Sequence, residues 1–138
     1  MSVVIDASVT LAWSFEDERT PAVIALLETV IQDSAWVPAH WHLEVANSLR
    51  SAIRRGRVTI AFRDETLADL GQLPIDVDDE TSVHAWDATL RLSDRYGLTP
   101  YDAAYLELAQ RKRLPLATLD RPLAEAAQAA DIEIWPLA

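Results

Sequence analysis

Short apolar runs rich in β-branched residues alternate with helical segments along almost the whole chain, and this alternation constrains the fold most strongly. The first run, Val3-Val4-Ile5, ends at Asp6 and is followed by a segment with helical spacing from Ser8 to Trp13. Further runs occupy residues 36–37, 75–77, 114–119 and 132–135. Strands that alternate with helices are typical of a parallel sheet with helices on both faces. The sequence therefore predicts an α/β fold whose ligand site lies beyond the carboxyl ends of the strands.

Helix signals fill the segments between these runs. Thr20-Pro21 and Thr99-Pro100 each place a capping threonine before a proline at the first helical position. A helix with an apolar stripe that includes Leu43 is predicted to end at Arg55, with Gly56 directly after it. Further helices are predicted over 59–70, from 79 or 81 to 97, and from 120 onward.

Length and composition predict one domain spanning residues 1–138. No repeat, low-complexity tract or Gly/Ser-rich linker divides the 138 residues. The chain has no cysteine, which excludes disulfides, thiolate zinc sites and a cysteine nucleophile. No apolar run approaches the ~20 residues of a membrane helix, and the N-terminus lacks a basic stretch before an apolar core. We therefore expect a cytoplasmic protein without a membrane partner.

The charge balance limits how this chain can bind nucleic acid. It has 12 basic and 22 acidic residues, a formal net charge of −10. A protein that binds nucleic acid mainly through its electrostatic field is basic. An acidic chain that handles nucleic acid is expected to do so through metal ions, whereas most surface carboxylates simply favour solubility.

Three aspartates occupy equivalent places at the starts of predicted helices. Asp6 and Asp120 each follow a predicted strand, and Asp102 comes three residues after Thr99. Each position suits a helix-capping aspartate or a capping box. In a parallel sheet, however, Asp6 and Asp120 lie at the same edge, and helix starts there bring in Glu44 and Asp102. The sequence therefore predicts four carboxylates in one cleft.

Clustered carboxylates are compatible with a folded protein when a cation offsets their repulsion. Oxygen ligands suit hard divalent ions, which points to Mg²⁺ or Mn²⁺. Such ions activate water and stabilise a departing oxygen in phosphodiester hydrolysis. We expect Asp6, Asp102 and Asp120 to bind or orient the ion, and Glu44 to complete the site or position the attacking water.

Four motifs around these acids resemble the PIN-domain ribonucleases, and most of all the VapC toxins. The motifs are VVIDAS with Asp6, HLEVANSL with Glu44, LTPYDAAYLELA with Asp102 and LATLDRPL with Asp120. The resemblance runs from the first strand to the last helix. It implies a three-layer α/β/α sandwich with a short parallel central sheet, and four acids that hold Mg²⁺ or Mn²⁺.

The same resemblance implies a set of partners and supporting residues. The substrate would be single-stranded or loop RNA, cut as the toxin of a type II toxin–antitoxin pair. The chain would form a homodimer and bind a VapB-like antitoxin, whose C-terminal segment often places an arginine in the acidic cleft. By the family pattern, the hydroxyls of Ser8 and Thr118 would lie near the metal, with Asn47 as a nearby polar group.

Three other functions are compatible with parts of the pattern. A PIN-type nuclease of RNA processing without a toxin role usually carries extra RNA-binding domains, and none fits in this chain. A doubly wound phosphatase with Asp6 as nucleophile calls for a second aspartate at position 8, where this chain has Ser8. A metal- or RNA-binding module without activity, including a receiver-like domain, would bind metal without cleaving RNA.

Basic clusters and aromatic residues offer weaker signals. The clusters at 54–57 and 111–113 lie at predicted helix C-termini, where cations complement the helix dipole. His40 and His42 lie two residues apart, so they do not share a helical face as zinc ligands would. Trp13, Trp41 and Trp86 are expected in the core or an interface, with base stacking in the cleft as the alternative.

Overall fold

The computed structural model of the chain describes residues 1–135. Four short parallel strands form its sheet, in the order β3-β2-β1-β4. The strands are β1 (Val3–Ile5), β2 (Ala35–Val37), β3 (Ile75–Val77) and β4 (Leu116–Ala117). The helices are α1 (Ala7–Ala12), α2 (Pro21–Asp33), α3 (Trp41–Arg54), α4 (Ile60–Leu70), α5 (Thr81–His84), α6 (Ala88–Tyr96), α7 (Pro100–Lys112) and α8 (Arg121–Ala129). The predicted three-layer α/β/α fold is confirmed.

The centre of the fold is β1, which is covered on both faces. Its three residues, Val3 to Ile5, are fully buried, as is typical of a central parallel strand. Its register with β4 pairs Ile5 with Ala117. The residues that follow these two strands therefore emerge side by side at the carboxyl edge of the sheet.

Capping side chains begin most of the longer helices, as the sequence predicts. The hydroxyl of Thr20 accepts the N–H of Val23 at the start of α2, and Thr99 does the same for Asp102 at the start of α7. Gly56, just after α3, has a φ of 71°, a conformation that glycine adopts without a side-chain clash. A capped start fixes the first turn of a helix, which is the turn that carries Asp102.

The predicted helix from 79 or 81 to 97 is wrong as one element, because it is two. Asp87, with φ −126° and ψ −98°, leaves the helical conformation between α5 and α6. The second helix then turns Thr89 and Ser93 inward, while Trp86 remains 91% exposed. Apolar spacing alone had suggested a continuous buried face here.

Three smaller expectations also need correction. The buried face of α3 does not include Leu43, which is 75% exposed, and it is formed by Trp41, Val45, Leu49 and Ala52. The run 114–119 contributes only the two residues of β4 to the sheet. The predicted strand 132–135 is reduced to one parallel bridge between Ile134 and Leu116.

Across residues 1–135, no helix combines the length and the apolar character needed to cross a bilayer.

Candidate active site

The four predicted acids lie around one cleft at the carboxyl edge of the sheet. Asp6 directly follows β1, and Asp120 follows the neighbouring β4. Glu44 and Asp102 lie in the first turns of α3 and α7. The cleft has a volume of about 160 Å³ and is lined by Asp6, Ala7, Ser8, Glu44, Asp102, Tyr105 and Asp120.

Asp6 is the most enclosed acid of the cleft, with 6% of its surface exposed. Its Oδ1 accepts the Ser8 hydroxyl at 2.6 Å and the Val9 N–H at 3.2 Å, and its Oδ2 accepts the Thr118 hydroxyl. Burial raises the pKa of Asp6 to about 6, with a contribution from the Asp120 charge, although these three hydrogen bonds oppose the rise. Asp6 therefore caps α1 and lines the cleft at once.

Two hydroxyl groups connect Asp6 to the segment that carries Asp120. The Thr118 hydroxyl donates to Asp6 and accepts the N–H of Asp120 at 2.9 Å. The Ser8 hydroxyl also donates to Asp6 and accepts the N–H of Leu119 at 3.0 Å. Both predicted hydroxyl residues thus lie beside the acids, where they fix the carboxylate of Asp6 relative to the β4 end.

Asp102 lies at the start of α7 and also lines the cleft. Its N–H is held by the Thr99 hydroxyl at 3.2 Å. Burial raises the pKa of Asp102, and the negative charges of Asp120 and Glu44 raise it further. Repulsion between these like charges therefore disfavours the ionised form of Asp102.

Tyr105 is a site residue that the sequence analysis missed. It is 1% exposed, and its hydroxyl donates to Oε1 of Glu44 at 2.5 Å. Tyr105 lies three residues after Asp102, and residues at that spacing share one face of a helix. The helical spacing within LTPYDAAYLELA was the signal that could have revealed it.

Asn47 is not part of the cleft lining. It is exposed on α3, one turn beyond Glu44, and the walls of the cleft are formed by other residues. His40 lies near Glu44, because its Nε2 is 3.6 Å from Oε1 of Glu44. The same nitrogen is 3.0 Å from the backbone oxygen of Tyr101. The structure thus brings the four acids, Ser8 and Thr118 together, and leaves Asn47 outside the lining of the cleft.

A second acidic group lies elsewhere, at Asp78, Asp79 and Glu80, whose carboxylate oxygens lie within 4.8 Å of one another. Arg111 forms ion pairs with part of this group, because its two terminal nitrogens donate to Asp78 at 2.5 and 3.2 Å and one of them lies 3.7 Å from Glu80. Burial alone would raise the pKa of Asp78, but these hydrogen bonds and the Arg111 charge lower it overall. We therefore assign this group to an ion-pair network.

The basic clusters and tryptophans are largely engaged in internal contacts. Arg57 donates to Asp17 at 2.6 Å and to Glu18 at 2.9 Å, and the Lys112 amine lies 3.8 Å from the centre of the Trp36 ring. The indole N–H groups of the buried Trp13 and Trp41 donate to Val23 and Thr10. These two tryptophans therefore belong to the core, as expected, whereas Trp86 does not.

The donor set of the cleft fits a divalent cation. Its charged groups are carboxylates on four different elements, supported by hydroxyls, and it contains no thiolate. Oxygen donors of this kind suit a hard ion that keeps some of its water. Fold and cleft together define a small parallel α/β protein with a cleft of carboxylates whose donors fit a divalent metal ion.

Comparison with known proteins agrees with this class. The PIN domain profile matches residues 3–129. A curated relative, Ribonuclease VapC3 of Mycobacterium tuberculosis, is 34% identical over 141 aligned positions that cover 99% of this chain and 89% of the relative. This chain therefore belongs to the PIN-domain family, and the prediction of a VapC-like ribonuclease is confirmed.

Solved structures share the fold. The crystal structure of PAE2754 from Pyrobaculum aerophilum aligns with a TM-score of 0.68 and 25% identity, covering 91% of this chain and 84% of that one. VapBC2 from Rickettsia felis, solved bound to a promoter DNA fragment, aligns with a TM-score of 0.63 and 12% identity over 97% of both chains. At 12% identity the second likeness concerns the fold alone.

Proposed function

We propose that this protein is a metal-dependent endoribonuclease and the toxin of a type II toxin–antitoxin pair. The observation that carries the proposal is the convergence of Asp6, Glu44, Asp102 and Asp120 on one cleft at the carboxyl edge of a parallel sheet. Its family relative of 34% identity is named a ribonuclease. The substrate is single-stranded or loop RNA, and the reaction is hydrolysis of a phosphodiester bond.

The four acids have different proposed roles, which follow from the groups that surround each one. Asp6, Asp102 and Asp120 bind or orient the ion, since Asp6 is fixed by two hydroxyls and a backbone N–H while the other two stand at helix starts. Glu44 completes the site or positions the attacking water. Ser8 and Thr118 hold Asp6 in place, and Asn47 is a nearby polar group.

Mg²⁺ is the proposed ion, with Mn²⁺ as the alternative, because both accept an all-oxygen donor set. When bound, such an ion lowers the pKa of a coordinated water and offsets negative charge on the departing oxygen. Burial raises the pKa values of Asp6 and Asp102, and the neighbouring carboxylate charges raise them further, so a bound cation would favour the ionised acids. The protein thus supplies a fixed, negatively charged cleft, and the cation makes it attractive to a phosphate.

The partners follow from the charge and the family. A VapB-like antitoxin would place a basic segment with an arginine in the acidic cleft, where a carboxylate pair with arginine is strong and directional. The net charge of −10 favours the approach of such a segment. We also propose a homodimer and a cytoplasmic location, where RNA and the antitoxin are present together.

The test is cleavage of a structured RNA pool by purified protein freed of antitoxin. Reactions with Mg²⁺ or Mn²⁺ are compared with EDTA and with Asp6→Asn. Cleavage that needs both metal and Asp6 supports the proposal, and growth arrest on expression, relieved by the antitoxin gene, supports the toxin role. Cleavage without growth arrest favours an RNA-processing nuclease, and metal binding without cleavage favours a silent binding module.

A further inference from the structure

Glu44 is held at one of its two carboxylate oxygens. The Tyr105 hydroxyl donates to Oε1 at 2.5 Å, and Tyr105 itself is 1% exposed. Within residues 1–135, no other group donates to either oxygen of Glu44 within hydrogen-bond distance. One oxygen is therefore fixed from the protein interior, while Glu44 still lines the cleft.

The His40 side chain lies near the same oxygen of Glu44, but its hydrogen bond is to the backbone of Tyr101. Its Nε2 lies 3.0 Å from the backbone oxygen of Tyr101 and 3.6 Å from Oε1 of Glu44. A carbonyl oxygen only accepts, so Nε2 donates to Tyr101, and 3.6 Å is too long for a hydrogen bond to Glu44. The imidazole packs edge-on against the Tyr105 ring at 5.5 Å, which steadies the ring that carries the donor.

We infer that Tyr105 is a positioning residue, whose hydroxyl anchors Oε1 of Glu44 so that the second oxygen is presented to the acid-lined cleft. This inference rests on the proposed function, because the work of Glu44 at the metal or the attacking water belongs to that proposal. It adds a tyrosine hydroxyl that holds Glu44, beside the Ser8 and Thr118 hydroxyls that hold Asp6.

The Tyr105 hydroxyl is the donor in its hydrogen bond to Glu44. Burial, the hydrogen bond to Glu44, and the negative charges of Glu44, Asp6 and Asp102 all raise the pKa of Tyr105 above its ordinary value. A carboxylate oxygen only accepts hydrogen bonds, so the Tyr105 hydroxyl supplies the proton of this bond. A protonated hydroxyl bound to one carboxylate oxygen restricts the rotation of Glu44 without cancelling its charge.

The test compares Tyr105→Phe with the wild-type protein. The phenylalanine keeps the buried ring and removes only the donor. We expect kcat for RNA cleavage to fall about 10- to 100-fold, the usual effect of losing an outer-shell partner, with KM changed less than threefold. Mn²⁺ affinity, measured by electron paramagnetic resonance without RNA, should fall in parallel. Tyr96→Phe, in a half-buried tyrosine outside the cleft, is the matched control and should match wild type.

A double-mutant cycle with Glu44→Gln separates positioning from packing. If Tyr105 acts through Glu44, adding Tyr105→Phe to Glu44→Gln should cost little more than Glu44→Gln alone. All measurements are made at a temperature at which circular dichroism shows every variant folded. Wild-type kcat and Mn²⁺ affinity in Tyr105→Phe would overturn the inference, as would a full additional loss in the Glu44→Gln background. Failure of the wild type to cleave any RNA would instead count against the proposed function, and the Mn²⁺ comparison would still decide the role of Tyr105.

Discussion

The Thr118 hydroxyl donates to Oδ2 of Asp6 across 112 residues of sequence. The same hydroxyl accepts the N–H of Asp120, so one side chain joins the acids that follow two neighbouring strands. The register that pairs Ile5 with Ala117 makes this contact possible. The pairing of β1 with β4 therefore determines where Asp6 and Asp120 lie relative to each other.

Replacing Thr118 by valine tests this link. Thr118→Val keeps the shape of the buried side chain but removes one donor to Asp6 and the acceptor for Asp120. We expect Mn²⁺ affinity and RNA cleavage to fall about 10- to 100-fold, as measured by metal titration and initial rates. Thr66→Val, at a buried threonine of α4, is the control, and equal activity in the two variants would argue against the link.

Asp6→Asn separates the capping role from the chemical role. Asparagine caps helices about as well as aspartate, so the thermal midpoint should stay close to that of wild type. Cleavage should fall by more than about 100-fold, since loss of a metal ligand is expected to exceed loss of an outer-shell partner. Asp94→Asn, at an exposed position on α6, should cleave normally. An Asp6→Asn protein that fails to fold would show that the buried carboxylate, which accepts the Ser8 and Thr118 hydroxyls, is required for the structure itself.

The Asp78–Arg111 pair predicts how stability responds to acid. The Asp78 side chain is 2% exposed, and Arg111 lowers its pKa below the ordinary value of 3.8 despite the opposing effect of burial. Because the folded-state pKa is depressed, the pair stabilises the protein above pH 3.8 and this contribution is lost as the pH falls through the lowered pKa.

Asp78→Asn should therefore be less stable than wild type at pH 7, by up to about 3 kcal/mol. Arg111 would retain Glu107, which it contacts at 2.7 Å, and this limits the loss. The difference between the two proteins should narrow as the pH falls below about 4, as urea unfolding at several pH values would measure. Asp79→Asn is the neighbouring control, and a gap that stays constant with pH would contradict the account.

The acids at the ends of the strands were predictable because two local rules act together. A buried β-branched run followed by aspartate marks both a strand end and a helix cap, and parallel pairing then brings such ends to one edge of the sheet. Asp6 follows this rule directly, and Asp120 follows it with two residues between the end of β4 and the aspartate. Glu44 and Asp102 required the additional expectation that their helices begin near the same edge.

Other features depend on tertiary packing that apolar spacing does not encode. The break at Asp87 leaves Trp86 exposed, although the spacing of Val83, Trp86 and Leu90 is helical. The sequence pattern around Tyr105 is that of an ordinary core residue. Only the structure shows that its hydroxyl donates to Glu44, which lies on another helix. The segment 132–135 has strand composition, yet it makes a single bridge with β4.

The most direct test of the central claim is the Mg²⁺ dependence of RNA cleavage by wild type and Asp102→Asn. Metal-stripped protein is titrated with Mg²⁺, and initial rates on a structured RNA pool are recorded beside the thermal midpoint of each protein. The account predicts no cleavage without metal, a saturable rise with Mg²⁺ in wild type, and little or no rise in a fully folded Asp102→Asn. Cleavage that persists in EDTA, or that Asp102→Asn carries out at the wild-type rate, would contradict it.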